Sequence, residues 1–432
     1  MTPKADHLRA CAQNRSKLLE KYEDEVLVIP GNFLRQKNSD VHYHFRQNSD
    51  FAYLCPYPEP DSFIVLDAAE KSFTLFVPPK DPHRELWDGP RFGVNGAKEI
   101  FEADQAFSHK QLSKEIPALV RNRKVLFDFP GFKSPLMDEL KILLETYSES
   151  CTDDGLRKSI HDLRIIKTDF DLQCMRTSAE LSSRAHIHLM QCAPKYNNES
   201  QLEAEFRYFC AMNGQSDMAY PPIVASGANA TCLHYIVNDR EYRKDDCILV
   251  DAGSSNLHYA ADITRVFPGG GKFSPRQKDL YQATLNVQKQ ILEAIDTETS
   301  LFELNALTQE LSTKELINLG IIKASFDEAM DKKLFRSFVP HGVSHHLGLD
   351  VHDVSESSYS YRNTGKISQL QAGMVVTIEP GIYIQKDDQN VDPSWRGIGI
   401  RIEDNIHILE KGYENLTISC PKEIDEIEQL QE

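Results

Sequence analysis

The stretch MVVTIEPGIYI, residues 374–384, places Glu379 inside a run of β-branched and aromatic residues that is typical of a strand. Three other apolar runs repeat this pattern: CILVDAG carries Asp251, LHYAADITRVF carries Asp262, and GIGIRIEDNIHI carries Glu403. An ionised carboxylate among apolar side chains is unfavourable unless it is paired with a cation or bound to a metal ion. Each residue alone is adequately explained as a salt-bridge partner or a strand-end residue. Four of them in the predicted strands of one domain indicate a metal site.

Side-chain alternation gives three of these carboxylates a polar neighbour on the same face of the strand. We expect these neighbours to hydrogen-bond the carboxylates and to fix their orientation toward a metal ion. The expected pairs are Arg401 with Glu403, Thr377 with Glu379, and Thr264 with Asp262.

Four of the 15 histidines fall in HGVSHHLGLDVHD, residues 341–353. His341 and His345 have the spacing of a helical zinc pair, but no glutamate follows the first histidine. Gly342 and Gly348 also disfavour a helix, so we predict a functional cluster in an irregular segment. One or two imidazoles added to four carboxylates make an oxygen-rich donor set. Such a set suits Mn²⁺, Co²⁺ or a cocatalytic metal pair better than structural zinc.

The region from residue 160 onward alternates helices with strand-like runs and predicts an α+β domain with antiparallel hairpins. Helix starts are indicated by capping boxes, in which an N-cap residue stands three positions before an acidic or amide residue. His186 and His188 fall on a long predicted helix and are interpreted as ordinary surface or packing residues. The predicted capping boxes begin at Thr168, Ser200, Ser274 and Ser300.

The first third of the chain has a different pattern. Short apolar runs such as Val26–Ile29 predict strands, and the spaced apolar residues of Lys4–Tyr22 predict a helix. Together they indicate a smaller α/β domain. The polar, glycine-containing segment 148–159 is the best candidate linker, so the predicted domains are 1–155 and 160–432.

The composition restricts the classes of partner. The chain has 432 residues, with 48 Lys and Arg against 65 Asp and Glu, a net charge of −17. This acidic balance disfavours nucleic-acid and anionic-membrane partners, and no apolar run approaches the ~18–20 residues of a membrane span. The nine cysteines are scattered, odd in number and without a CxxC pair, which favours a reducing compartment. We therefore predict a cytoplasmic protein with neither nucleic-acid nor membrane partners.

An ordered set of motifs resembles the aminopeptidase P (Xaa-Pro aminopeptidase) family of pita-bread metallopeptidases, which are related to prolidase, methionine aminopeptidase and creatinase. The motifs are VDAGSSNLHYAADITRVFP, HGVSHHLGLDVHD, TIEPGIYI and GIGIRIEDNI, in that order. CLHY at residues 232–235 and FRQNSDFAYL at residues 45–54 resemble further motifs of the family. The resemblance implies a C-terminal pita-bread catalytic domain and a smaller N-terminal creatinase-like α/β domain.

Carried over by position, the resemblance implies two divalent metal ions, with Mn²⁺ as the expected metal and Zn²⁺ or Co²⁺ as alternatives. His234 and His352 would flank the scissile carbonyl, and Glu379 would also carry the proton to the leaving proline nitrogen. The implied substrate-binding residues are His341, Arg401 and Tyr383. The implied metal ligands are Asp251, Asp262, His345, Glu379 and Glu403.

The activity implied by the resemblance is release of the N-terminal residue from peptides with proline at the second position, through attack by a metal-bridging hydroxide. The implied partners are such peptides and further copies of the chain, as a homodimer or homotetramer. The close alternative is prolidase, which shares the ligand set but accepts only Xaa-Pro dipeptides. A non-catalytic pita-bread protein that binds peptides is disfavoured, because all five ligand positions hold residues able to bind metal.

Overall fold

The computed structural model describes residues 3–128, 134–153, 155–355 and 369–432. The chain forms two compact units, Met1–Arg164 and Ile165–Glu432. No helix in these described ranges is both long enough and apolar enough to cross a membrane.

The first unit extends further along the chain than the predicted domain 1–155. Strand Ser150–Thr152, inside the predicted linker, pairs in parallel with Lys124–Phe127. The following helix, Leu156–Ile165, is also tied to this unit, because Arg164 Nη1 and His161 Nε2 lie 2.6 and 3.1 Å from the buried Asp50 carboxylate. The polar linker pattern therefore marks an edge strand and an amphipathic helix start.

A six-stranded mixed sheet forms the centre of the first unit. Its strand Val26–Pro30 is buried at every position and pairs antiparallel with one neighbour and parallel with the other, as its continuous apolar sequence predicts. The strands in spatial order are Gln105–Ser108, Ser72–Val77, Phe63–Asp67, Val26–Pro30, Lys124–Phe127 and Ser150–Thr152, with a separate hairpin of Gln36–Asn38 and Val41–His42. The helices are Ala5–Leu19, Ser49–Leu54, Pro82–Asp88, Gly93–Glu99, Leu112–Val120, Pro135–Tyr147 and Leu156–Ile165.

The second unit is built from small sheets whose described strand pairs are all antiparallel, as predicted. Its apolar core includes Val250, Val266 and Phe206, which are completely buried. The sheets are Thr264–Pro268, Cys247–Asp251 and Ile223–Ser226; Val375–Ile378, Asp404–Ile408 and Tyr413–Asn415; Gly381–Ile384 with Ile398–Arg401; and Ser255–Asn256 with Tyr259–Ala260. The helices are Asp169–Cys192, Glu199–Met212, Pro275–Glu293, Leu301–Asn318, Phe326–Asp331 and Ile424–Leu430.

Three of the predicted capping boxes are present, at Thr168, Ser274 and Ser300. The prediction at Ser200 is wrong. That helix begins at Glu199, and its cap is Asn198, whose side chain accepts a hydrogen bond from the Ser200 N–H at 2.9 Å. Asparagine is as good an N-cap as serine, so spacing alone did not separate the two.

The three long strands predicted around Asp262, Glu379 and Glu403 are each broken, and the carboxylate lies in the break. The prediction that these residues lie inside strands is therefore wrong. The cause is a change of partner: the main chain pairs in one sheet before Glu379 and in another after Pro380. The returning chain makes the opposite change at Ile402 and Glu403. Both glutamates consequently lie where two sheets meet.

Candidate metal centre

The five predicted metal ligands converge in the second unit. Ligand atoms of Asp262, His345 and Glu403 lie within 4.8 Å of one another. His345 Nε2 is 3.4 Å from Asp262 Oδ2 and 3.6 Å from Glu379 Oε1. Asp251, at the end of its strand, joins the group through Tyr220, whose phenol oxygen lies 2.6 Å from Asp251 Oδ1 and 2.5 Å from Asp262 Oδ1.

The electrostatics of this cluster favour a positive charge at its centre. Burial, reinforced by neighbouring carboxylates, raises the pKa of all three acids. The pKa of Asp262 lies above its usual value, that of Glu379 is about 7, and that of Glu403 is well above its usual range. Burial opposes the protonation of His345, yet Asp262 raises its pKa to about 9. Divalent cations between the carboxylates would remove this repulsion. The donor set, four carboxylates and one imidazole, therefore fits divalent metal ions.

Hydrogen bonds orient the carboxylates, but the partners in these hydrogen bonds differ from those predicted. Arg401 Nη2 donates to Asp251 Oδ2 at 2.6 Å, and Arg401 Nε donates to Thr264 Oγ1 at 3.0 Å. Thr264 Oγ1 in turn donates to Glu403 Oε2 at 2.6 Å. The predicted pairs Arg401–Glu403 and Thr264–Asp262 are therefore wrong. The alternation of strand side chains does not continue through the breaks at Asp262 and Glu403.

His345 lies in an irregular segment, as the two glycines predict. The segment runs beside strand Val375–Ile378, with an isolated bridge between His346 and Val376. Thr377 Oγ1 accepts the His345 N–H at 3.1 Å, so this threonine also differs from its predicted role beside Glu379. His345 Nδ1 donates to the His346 carbonyl at 3.0 Å, which leaves Nε2 with the lone pair that a metal ligand needs.

The predicted substrate-binding residues adjoin the cluster. His341 Nδ1 donates to the Gly342 carbonyl at 2.8 Å, and its Nε2 lies 2.7 Å from the Tyr383 hydroxyl. That hydroxyl accepts from Arg401 Nη1 at 2.9 Å and is therefore free to donate to His341. Burial and the Arg401 charge lower the pKa of His341 to about 4. A neutral His341 and Tyr383 thus form a fixed pair, 5.5 Å between ring centroids.

His234 and His352 lie on the exposed side of the cluster. The His352 ring centroid is 4.3 Å from that of His345, in an edge-to-face arrangement. Burial first, and then the nearby histidines, lower the pKa of His352. His234 contributes to the lowered pKa of both His341 and His352, so the structure brings all four predicted histidines together.

Two residues of the site were missed by sequence reasoning. Tyr220 lies between two carboxylates, and no motif or periodicity marked it. Glu199 precedes the predicted N-cap at Ser200 and was marked by no motif, but it is completely buried. It anchors the segment that carries His234, because Glu199 Oε2 accepts from the Tyr235 hydroxyl at 2.8 Å and the Arg240 N–H at 3.0 Å. Its Oε1 accepts from Ser226 N, Ser226 Oγ and Asn229 Nδ2 at 2.7, 2.6 and 3.2 Å.

Comparisons relate the chain to proteins of known activity. Residues 173–410 match metallopeptidase family M24, and residues 11–127 match the aminopeptidase P N-terminal domain. Xaa-Pro aminopeptidase 3 of Rattus norvegicus is 35% identical over 417 residues, which cover 94% of this chain and 81% of the relative. The structure of Pseudomonas aeruginosa aminopeptidase PepP matches with a TM-score of 0.92 and 34% sequence identity, and the match covers 100% of this chain and 98% of the Pseudomonas chain. Zinc-substituted Escherichia coli aminopeptidase P in complex with product has a TM-score of 0.91 and 31% identity, covering 98% of both chains.

Proposed function

The chain belongs to metallopeptidase family M24, and from this we propose that it releases the N-terminal residue from peptides whose second residue is proline. The predicted fold class, a pita-bread catalytic domain with a smaller N-terminal aminopeptidase P domain, is confirmed by the same comparisons. The observation that carries the proposal is the convergence of four carboxylates with His345, flanked by three further histidines. We assign catalysis to the domain predicted from residue 160 onward.

We infer that the site holds two divalent ions, with Mn²⁺ as the resident metal. The oxygen-rich donor set supports this choice over structural zinc. When bound, such ions polarise the scissile carbonyl and lower the pKa of water enough to supply a nucleophile at neutral pH. The proposed ligands are Asp251, Asp262, His345, Glu379 and Glu403.

The chain's own side chains would deliver the proton that the leaving nitrogen needs and would stabilise the negative charge that develops on the scissile carbonyl oxygen. An Xaa–Pro bond is a tertiary amide, so its nitrogen leaves as a secondary amine only after it receives a proton. We assign that delivery to Glu379, whose carboxylate faces both His345 and His341 at 3.6–3.7 Å. His234 and His352 would donate N–H groups to the developing oxyanion, as preorganised donors do in other acyl-transfer sites.

We propose that His341 and Tyr383 form the wall that receives the proline ring. His341, whose side chain is 20% exposed, would present its ring to the proline, and the buried Tyr383 holds that ring in place through their mutual hydrogen bond. Arg401 holds Tyr383 in place and joins the pocket to Asp251. Such a pocket selects proline by shape, without requiring a hydrogen bond from the scissile nitrogen.

Hydrolysis rates on three matched substrates test this function: an Xaa-Pro-Yaa tripeptide, the Xaa-Pro dipeptide and an Xaa-Ala-Yaa tripeptide. We expect Mn²⁺-supplemented protein to cut the first fastest and the last least. Activity confined to the dipeptide would instead identify a prolidase. Failure on all three substrates with metal retained would indicate a non-catalytic, peptide-binding protein.

We further propose a homodimer or homotetramer and a cytoplasmic location. All nine cysteines are free thiols, which supports a reducing compartment. Light scattering measures the oligomer mass directly, and a monomer at working concentration would contradict the first proposal. Fractionation of the source cells tests the second.

A further inference from the structure

A second group of metal-ligand side chains lies on two packed helices of the second unit. His188 and Cys192 are four residues apart on helix Asp169–Cys192, so they share one face. Glu205 comes from the neighbouring helix Glu199–Met212. One ligand atom from each of the three residues lies within 4.8 Å of the others. These residues take no part in the catalytic chemistry described above.

The separations match those of a tetrahedral zinc site. Ligand distances of about 2.3 Å for sulfur and about 2.0–2.1 Å for nitrogen and oxygen put tetrahedral S and N atoms about 3.6 Å apart, and N and O atoms about 3.4 Å apart. Cys192 Sγ is 3.5 Å from His188 Nε2, and His188 Nε2 is 2.9 Å from Glu205 Oε2. The His188–Glu205 separation has to widen by about 0.5 Å, which a glutamate side-chain rotation provides.

The surroundings are also those of a metal site. The Tyr196 hydroxyl donates to Glu205 Oε1, the carboxylate oxygen opposite the one facing His188, and so orients the carboxylate. The His188 ring stacks on Phe209, 5.0 Å between centroids, which fixes the direction of its nitrogens. The His188 and Glu205 side chains are 30% and 24% exposed. An ion can therefore enter from solvent, and water can fill the fourth position.

We propose that His188, Cys192 and Glu205 bind a zinc ion, at a site separate in composition and purpose from the catalytic centre. Thiolate and imidazole ligands select a borderline-soft ion, whereas the catalytic centre presents mainly carboxylate oxygens. The two centres are thus expected to differ in metal selectivity: the thiolate site should prefer Zn²⁺ and the carboxylate site Mn²⁺. Because its ligands come from two helices, a bound zinc ion clips Asp169–Cys192 to Glu199–Met212. The interpretation of His188 as an ordinary surface residue is then incomplete.

Cobalt absorption tests the site, because only a thiolate ligand gives the near-ultraviolet sulfur-to-cobalt charge-transfer band. The full-length protein is titrated with Co²⁺, and then with Zn²⁺ as competitor. We expect the band to saturate by about three equivalents of Co²⁺, because two ions would fill the catalytic centre without contributing to the band, and to disappear when Zn²⁺ is added. Cys192→Ser is expected to abolish the band. Cys232→Ser, which removes an exposed thiol outside the group, is the matched control and is expected to keep it.

Two further variants keep the test decisive if Cys192→Ser folds poorly. His188→Gln and Glu205→Gln leave the thiol in place and are expected to weaken Zn²⁺ binding at least about tenfold, with unchanged circular dichroism. Absence of the band in the unmodified protein overturns the proposal. So does its retention in Cys192→Ser or its loss in Cys232→Ser. The result does not depend on peptidase activity, so it stands or falls separately from the proposed function.

Discussion

Replacement of Glu199 by glutamine is the sharpest test of how the fold positions His234. The carboxylate is buried and accepts five hydrogen bonds. Glutamine keeps one oxygen but presents an amide NH₂ where Glu199 Oε2 accepted from Tyr235 and Arg240. The Arg240 N–H then faces a donor, and an unsatisfied donor costs ~1–3 kcal/mol. Loss of charge weakens the remaining bonds by about 1 kcal/mol more.

We therefore expect the free energy of unfolding to fall by about 2–4 kcal/mol. If half of this is expressed as loosening of the segment that carries His234, kcat/KM on an Xaa-Pro-Yaa tripeptide falls about 5–30-fold, since each ~1.4 kcal/mol is tenfold. Metal content stays at the wild-type value, because none of the five proposed ligands contacts Glu199. Urea unfolding, steady-state kinetics and metal analysis of the same preparation measure the three quantities.

The matched control is Glu310→Gln, the same change at a side chain that is 42% exposed and that, among the described residues, pairs with Lys314 of its own helix. It is expected to alter stability by less than about 0.5 kcal/mol and to leave the kinetics unchanged. A Glu199→Gln variant that keeps kcat/KM within about twofold of wild type would show that Glu199 does not position His234. A loss of activity that is only proportional to lost metal would show the same.

Three other predictions concern buried polar contacts. Arg401→Met removes the cation that pairs with the Asp251 carboxylate. Because Asp251 then loses its partner in a buried ion pair, we expect kinetic assays to show kcat/KM reduced more than about 100-fold. Tyr220→Phe leaves two carboxylates without the phenol between them, so chelator competition should show metal affinity reduced about 10–100-fold. Burial alone would raise the pKa of Asp50, but the Arg164 charge lowers it below its usual value. The Asp50–Arg164 contact therefore stabilises the fold fully above about pH 4, and this stabilisation is lost as the pH falls through the lowered pKa. Urea unfolding of Asp50→Asn and wild type should therefore differ by about 3 kcal/mol at pH 7 and converge in acid; equal stability at pH 7 would contradict this.

Much of the fold follows from local sequence signals. The capping boxes at Thr168, Ser274 and Ser300 need only residues three positions apart, and the buried strand Val26–Pro30 needs only a continuous apolar run. The four carboxylates of the proposed metal site were also marked locally, because a carboxylate in an apolar run is conspicuous wherever it occurs. These features depend on neighbours in the chain, which is why they could be predicted.

Features that depend on distant residues could not be predicted in the same way. The strand breaks at Glu379 and Glu403 exist because the chain changes sheets there. Pro380 and Gly381 signal a break after Glu379, but neither neighbour of Glu403 is a proline or a glycine. Thr264 serves Glu403 across 139 positions. Glu199 is important only because residues 226–240 fold onto it. In each case the partner is chosen by tertiary structure and not by spacing.

We propose that the carboxylate and imidazole cluster holds the ions on which peptide cleavage depends. The most direct measurement is Mn²⁺ binding to chelator-treated protein, followed together with proline-specific hydrolysis of a tripeptide. We expect no activity without metal and a return of activity as two equivalents of Mn²⁺ bind. We also expect Glu403→Gln to lose both binding and activity. Hydrolysis by metal-free protein, or full Mn²⁺ binding by Glu403→Gln, would contradict it.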